Sequence, residues 1–328
     1  MTATVAIYAR AYDDIRSRLD ALGLDIAVLT FDHTGALFRD GQEIKAEETE
    51  VDYLWLSPFI SRDKAQAAAF GLAVRLKSVG VLQTFNAGLD DPVYKTISAK
   101  GTFICNSSAQ AMAISEYVVG QVLALYQPIQ QQREIQAAKT WQNTPFREIW
   151  RTNWLIAGFG PIGQETARKV KAFGASTSVV RRSPETGPTV DRAGTLADLN
   201  TFAADADVVV IACPLNDQTR GAVGEAFFKA VKPGAILVNI ARGPVIDDVA
   251  LMRALDDGRV EQAVLDVFHT EPLPTDDPLW SHPKVRMTCH TSFAGSGGQL
   301  RWQELFLNSL PRYLSGESLI NEVRASDI

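Results

Sequence analysis

Cysteine is scarce in this chain: Cys105, Cys213 and Cys289 are the only three in 328 residues. They are far apart and odd in number, and none forms a C-x-x-C pair. That excludes a disulfide framework and a paired-thiol redox or metal motif. Each reads as a small buried hydrophobe, the reducing cytoplasm suits all three, and no metal-ligand set is expected. Long apolar runs are also missing. No segment approaches the roughly 20 uninterrupted apolar residues of a membrane-spanning helix. The opening "MTATVAIYARAYDD" lacks the charged and apolar regions of a signal peptide. Basic charge is in deficit, with a formal net charge of −6, which argues against nucleic acid or anionic membrane as a partner. There is no low-complexity tract and no short-period repeat. What remains, 46% hydrophobic and 21% charged residues, is the balance of a soluble globular chain long enough for two domains.

Short β-rich runs alternate with helical patterns along the whole chain. "TVAIYA" is followed by "DDIRSRLDALG"; "DYLWLS" and "LKSVGVLQTF" flank an Ala-rich helical stretch from Ala65 to Leu76. After residue 151 the alternation sharpens. "NWLIAGFG" leads into a helix with apolar positions Ile162, Ala167, Val170 and Phe173, ending at Gly174. "STSVVRRS", "DADVVVIACP", "KPGAILVNIARG" and "EQAVLDVF" supply further strands. Strands alternating with helices imply right-handed crossovers, and hence α/β, doubly wound parallel sheets. The stretch from Ser107 to Trp141 differs, being one long helical pattern interrupted at Pro128. It reads either as a buried helix with a polar connector or as an interdomain helix whose arm packs on a second subunit.

"GFGPIG", from Gly158 to Gly163, is weak by itself in a chain with 23 glycines. Its context strengthens it, because it follows an apolar strand and opens an amphipathic helix. Gly158 permits the tight turn, Gly160 lets the backbone approach a pyrophosphate, and Gly163 allows helix and strand to pack closely. Phe159, Pro161 and Ile162 complete the turn, and the helix N-terminus offers free N–H groups to the phosphates. The same fingerprint places an acidic residue about 20 positions on, to bind a ribose hydroxyl. Here the second strand runs into Arg181, Arg182 and Ser183 instead. Two guanidinium groups and a hydroxyl suit a 2′-phosphate, so NADP is favoured, with NAD possible.

From "DVVVIACPLNDQT" through "NIARG", "LDVF", "EPLP" and "PLW" to "CHTS", the second half resembles the D-isomer-specific 2-hydroxyacid dehydrogenases, in the manner of glyoxylate/hydroxypyruvate reductases. The first half matches more weakly, through "NAGLD" and "ISEYV". The resemblance implies two Rossmann-like domains and reduction of a small 2-oxo acid to a D-2-hydroxy acid, or the reverse, with a nicotinamide cofactor. It carries catalytic roles onto Arg242, Glu271 and His290. The chemistry is coherent: a guanidinium can hold the carboxylate and ketone oxygens together, and a histidine can supply the proton the reduced ketone oxygen needs. A carboxylate on the other ring nitrogen would fix the tautomer. The resemblance also puts Pro214, Thr219, Ile240 and Asp266 at the cofactor, the last near the nicotinamide amide. It puts the backbone N–H groups of Ala87 and Gly88 at the substrate carboxylate. Apolar patterning adds Leu54, Trp55 and Leu56 as a side-chain pocket. His33, His269 and His282 read as surface residues. One departure is Cys289, where the family usually has proline.

Because the fingerprint lies mid-chain, the dinucleotide-binding domain, residues 105–290, is expected to be inserted into a substrate-binding domain made of 1–104 and 291–328. A cleft between them that closes on the ligands, and a homodimer, complete the expectation. Two other readings stay open. A dinucleotide-sensing binding protein of corepressor type shares the fold. Formate dehydrogenase is a relative, although formate offers no ketone to protonate and gives Glu271 no task.

Overall fold

The computed structural model describes residues 2–325 and 328. The chain divides into two units, Met1–Gln110 with Ser296–Ile328, and Ala111–Gly295. The expected boundaries at 104/105 and 290/291 therefore move by five or six residues, for a local reason in each case. Ser107 N–H donates to Asn86 O and Gln110 Nε2 to Phe85 O, which holds 107–110 to the first unit. Thr291 and Ser292 N–H both donate to the Asp266 carboxylate, which holds them to the second.

In the first unit, β1 (Ala3–Tyr8), β2 (Ile26–Phe31), β5 (Glu50–Trp55), β6 (Ser78–Gln83) and β7 (Phe103–Cys105) are parallel, in the order β7-β6-β5-β1-β2. This parallel α/β core is the expected one, and antiparallel strands occur only at its edges. β3 (Leu37–Arg39) and β4 (Gln42–Ile44) extend it antiparallel beyond β2, and a short strand, Glu322–Val323, pairs antiparallel with β7. The cause of the hairpin is local. Asp40 and Gly41 both have positive φ, 49° and 79°, so "DG" makes the two-residue turn whose twist matches flanking strands. The inner strands are buried on both faces, as parallel strands covered by helices must be. Helix Gly298–Leu314 lays Phe306, Leu307 and Leu310 into this core, with the Phe306 ring stacked 4.2 Å from that of Trp55. That contact corrects the sequence expectation for Trp55. It is a buried core residue, and Leu54 and Leu56 are buried with it.

The second unit holds β8 (Asn153–Ala157), β9 (Ser176–Val180), β10 (Arg192–Gly194), β11 (Val208–Ile211), β12 (Ala235–Asn239), β13 (Val260–Leu265) and β14 (Val285–Met287). All pairings are parallel, in the order β10-β9-β8-β11-β12-β13-β14. The strand order reverses between β8 and β11, the switch point where such sheets take their ligands. Helix Ala111–Tyr126 buries Ile114, Val118, Val122 and Tyr126, four residues apart, against the second unit's core. It stops before Pro128, which cannot continue an α-helix. The following helix, Ile129–Ala137, buries nothing, and Trp141 beyond it is fully exposed.

Candidate active site

Every site residue expected in the second unit lies just past the carboxyl end of one of its parallel strands. The Gly158–Gly163 turn follows β8, Arg181 to Ser183 follow β9, and Pro214 and Thr219 follow β11. Ile240 and Arg242 follow β12, Asp266 and Glu271 follow β13, and His290 follows β14. One edge of one sheet collects them all, because parallel strands all end on the same side.

The β8 turn is built to admit a diphosphate. Gly158 has φ +102°, and a Cβ there would lie 2.5 Å from Ala212 O and from Cys213 N at the end of β11. Only glycine fits, and its fit closes the switch point. A Cβ on Gly160, by contrast, would meet nothing within 4 Å, so the backbone at the start of helix Pro161–Ala172 faces open space. No side chain caps that helix, which leaves its first N–H groups for an anion. These residues fit the diphosphate of a dinucleotide. Beside them the Arg181 guanidinium lies 5.5 Å from the Phe159 ring centroid. Thr219 braces the β11 loop, donating from its hydroxyl to Pro214 O at 2.7 Å and accepting from Asn216 N–H at 2.8 Å. Burial pushes the Cys213 thiol in this loop up to about 11, which keeps it protonated and unreactive.

Arg242 stands on a turn set by a buried polar side chain. Asn239, the last residue of β12, accepts from Ala241 N–H at 3.1 Å and donates to Arg242 O at 3.0 Å. Arg242 itself donates from Nη1 to Ala241 O at 2.7 Å. The next residue, Gly243, has no room for a side chain: a Cβ would fall closer than 3.0 Å to Phe268 C and O and to His269 N. The Arg242 turn thus rests directly on the backbone that leads to Glu271. His269, expected at the surface, ties the same two loops together, with Nε2 2.9 Å from Ile246 O.

Glu271 uses its two oxygens differently. Phe268 N–H donates to Oε1 at 2.9 Å, while Oε2 lies 2.7 Å from His290 Nδ1. The carboxylate is therefore oriented by the main chain and in turn orients the imidazole, whose Nε2 has no partner among the described residues. His290 has φ +49°, a left-handed conformation unusual for a residue with a Cβ. Asp266 holds it there. The Asp266 main-chain oxygen accepts His290 N–H at 2.8 Å. Its fully buried carboxylate accepts the Thr288 hydroxyl at 2.5 Å, Thr291 N–H at 2.8 Å and Ser292 N–H at 3.0 Å. Tyr117, on helix Ala111–Tyr126, meets Thr288 Oγ1 at 2.8 Å and extends the chain of bonds. Sequence reasoning placed Asp266 at the cofactor and missed Asn239, Thr288 and Tyr117. The available signal was a polar residue closing each of two apolar strands, Asn239 after "AILV" and Asp266 after "AVL".

In the first unit, the loop after β6 carries Ala87 and Gly88. Gln110 Nε2 and Trp302 Nε1 both donate to Phe85 O, and Asn106 Nδ2 donates to Ala87 O. Carbonyls along the loop are thereby engaged, while the N–H groups of Ala87 and Gly88 have no acceptor among the described residues.

With this geometry in hand, comparison with known proteins identifies the lineage. The family model of the D-isomer specific 2-hydroxyacid dehydrogenase NAD binding domain matches residues 119–292, more than half of the chain. The chain belongs to the D-isomer specific 2-hydroxyacid dehydrogenase family. Among curated relatives of this chain, glyoxylate/hydroxypyruvate reductase A of Citrobacter koseri is 30% identical over 188 residues, 57% of this chain and 60% of the relative. That alignment spans less than two thirds of the relative's length. Glyoxylate reductase of Thermofilum pendens is 29% identical over 278 residues, 79% of each chain. Among solved structures, a D-isomer specific 2-hydroxyacid dehydrogenase from Xanthobacter autotrophicus Py2, in complex with NADPH and MES, has a TM-score of 0.75 at 25% identity. It covers 99% of this chain and 98% of that one. No helix among the described residues is long and apolar enough to cross a membrane.

Proposed function

We propose that this protein reduces a small 2-oxo acid to a D-2-hydroxy acid and prefers NADPH. When bound, NADPH supplies the hydride for C2 of the acid. The Arg242 guanidinium holds the acid's carboxylate and ketone oxygen, orienting C2 and stabilising the negative charge that develops on the ketone oxygen. His290 delivers a proton to that oxygen from Nε2, and Glu271 fixes the ring so that Nε2 is the nitrogen presented. Ala87 and Gly88 N–H groups receive the carboxylate. The observation that carries this reading is the pinned carboxylate–imidazole pair, Phe268 N–H to Glu271 Oε1 and Glu271 Oε2 to His290 Nδ1. A dinucleotide sensor has no need of such a pair.

The NADPH preference rests on Arg181, Arg182 and Ser183 at the end of β9, where a carboxylate would repel a 2′-phosphate. It agrees with the NADPH found in the Xanthobacter relative. A homodimer in the cytoplasm completes the reading. Trp141 and the unburied helix Ile129–Ala137 form the arm that would pack on a second copy. The test is loss of absorbance at 340 nm with NADPH and with NADH across 2-oxo acids from glyoxylate and hydroxypyruvate to phenylpyruvate. Turnover preferring NADPH is expected. NADPH binding without turnover of any acid would overturn the reductase reading in favour of a binding protein.

A further inference from the structure

We infer that the natural 2-oxo acid carries a second anionic group, received by a guanidinium–aromatic subsite at the carboxyl ends of β1 and β5; this rests on the reductase reading above. In the first sheet the chain runs from β1 to β2 on one side, then crosses to β5 on the other side of β1. The strand order reverses there, at the ends of β1 and β5, the position where sheets of this kind take ligands.

Phe59, just after β5, is the centre of the cluster. The Arg10 guanidinium lies 4.6 Å and that of Arg62 5.4 Å from its ring centroid. Asp63 is fully engaged, accepting Arg10 Nη1 at 2.5 Å on one oxygen and the Tyr8 hydroxyl at 2.9 Å on the other. Burial, and then the bond to Asp63, pushes the Tyr8 phenol up to about 12, so it remains a donor. Arg62 is exposed and has no carboxylate within ion-pair distance among the described residues. A guanidinium stacked on a ring keeps its in-plane N–H fork open, which is the geometry that receives a carboxylate or phosphate. The Asp63 and Asp32 carboxylates both act on Tyr8, and Arg10 is paired with Asp63, so the guanidinium left to receive a further anion is that of Arg62. The Ser57 hydroxyl, two residues before Phe59, is fully buried and has no hydrogen-bond partner among the described residues, so polar capacity remains at this strand end.

The position also fits the length of a substrate. Ala87 and Gly88 follow β6, β5 is the neighbour of β6, and β1 is the neighbour of β5. With strands about 4.8 Å apart, the subsite lies about 5–10 Å from the carboxylate-binding loop, about the separation of the two carboxylates of a five- or six-carbon 2-oxo diacid.

The experiment compares kcat/KM for acids of equal length that differ only in the distal carboxylate: 2-oxoglutarate against 2-oxopentanoate, and 2-oxoadipate against 2-oxohexanoate. The diacid should be favoured about tenfold or more in at least one pair, the effect of one charge-assisted hydrogen bond. Arg62→Met should collapse the diacid-to-monoacid ratio toward one, and Arg62→Lys should restore part of it. A wild-type ratio at or below one in both pairs, with the monoacids reduced, would overturn the subsite alone. So would a ratio that Arg62→Met leaves unchanged. If neither series is reduced while glyoxylate or hydroxypyruvate is, the subsite falls and the reductase reading stands; if no 2-oxo acid at all is reduced, both fall.

Discussion

Gly243→Ala adds one methyl group at a residue that touches no substrate in the proposed mechanism, yet it should nearly abolish the proposed reduction. The new Cβ would fall closer than 3.0 Å to Phe268 C and O and to His269 N. Ordinary carbon contacts are about 3.5–4.0 Å, so the Arg242 turn and the Phe268–His269 backbone must separate by more than about 0.5 Å. All three obstructing atoms are main chain, so no side chain can swing aside. Catalytic groups must hold within about 0.5 Å of their productive geometry, and about 1 Å of misplacement can cost about 10²-fold. The displaced elements carry Arg242 on one side and Glu271 on the other. We therefore expect kcat/KM to fall about 10²-fold, with an overpacking loss of about 1–3 kcal/mol in stability. NADPH affinity, measured by fluorescence titration, should stay close to wild type. Gly160→Ala is the matched control. Its Cβ meets open space, so stability should hold within about 0.5 kcal/mol while NADPH binding weakens. Gly243→Ala with kcat/KM within about threefold of wild type would refute the idea that this contact sets the distance between the two catalytic loops.

Replacing His290 with Gln should lower kcat by about 10²–10⁴-fold with NADPH binding retained; a loss below threefold in steady-state assays would remove it as the general acid. Arg181→Ala with Arg182→Ala should raise the Kd for NADPH far more than that for NADH, and equal effects would mean that the arginines do not read the 2′-phosphate. Asp266→Asn must turn an amide NH2 toward a backbone N–H of the His290 loop, because one oxygen cannot accept all three donors. It should lose about 1.5–3 kcal/mol, seen as a lower Tm together with a reduced kcat; unchanged values of both would contradict the anchoring role.

The second unit was legible in the sequence because its signals reinforce one another. Apolar runs end in glycine or a charged turn, helical spacing follows, and the next run begins at the expected interval. The first unit was less legible. "RDGQ" was a hairpin signal flanked by runs too short to read as strands, so the antiparallel edge went unread. Trp55 shows a different limit. "YLWL" is apolar throughout, and such a run cannot say which side chains face a core and which face a ligand; the partner, Phe306, lies some 250 residues away in sequence. Arg242, Glu271 and His290 could be singled out by resemblance and chemistry. Among their supports only Asn239 left a trace in the sequence, as a polar residue closing an apolar run; Thr288 and Tyr117 act through distances that only folding defines. His282 was read as a surface residue, yet its side chain is 9% exposed and its Nδ1 accepts Lys284 N–H.

The Asp266 anchor bears on how freely this segment can drift over evolutionary time. Three of the four bonds that fix the His290 loop come from main-chain N–H groups, at residues 290, 291 and 292. Any amino acid but proline supplies those donors. Selection on loop shape therefore acts on Asp266 and Thr288, and it leaves position 289, which contributes none of the four bonds, comparatively unconstrained. Cysteine can stand there, where the family usually has proline, because the turn is dictated from the neighbouring strand rather than by the stiffness of its own residues.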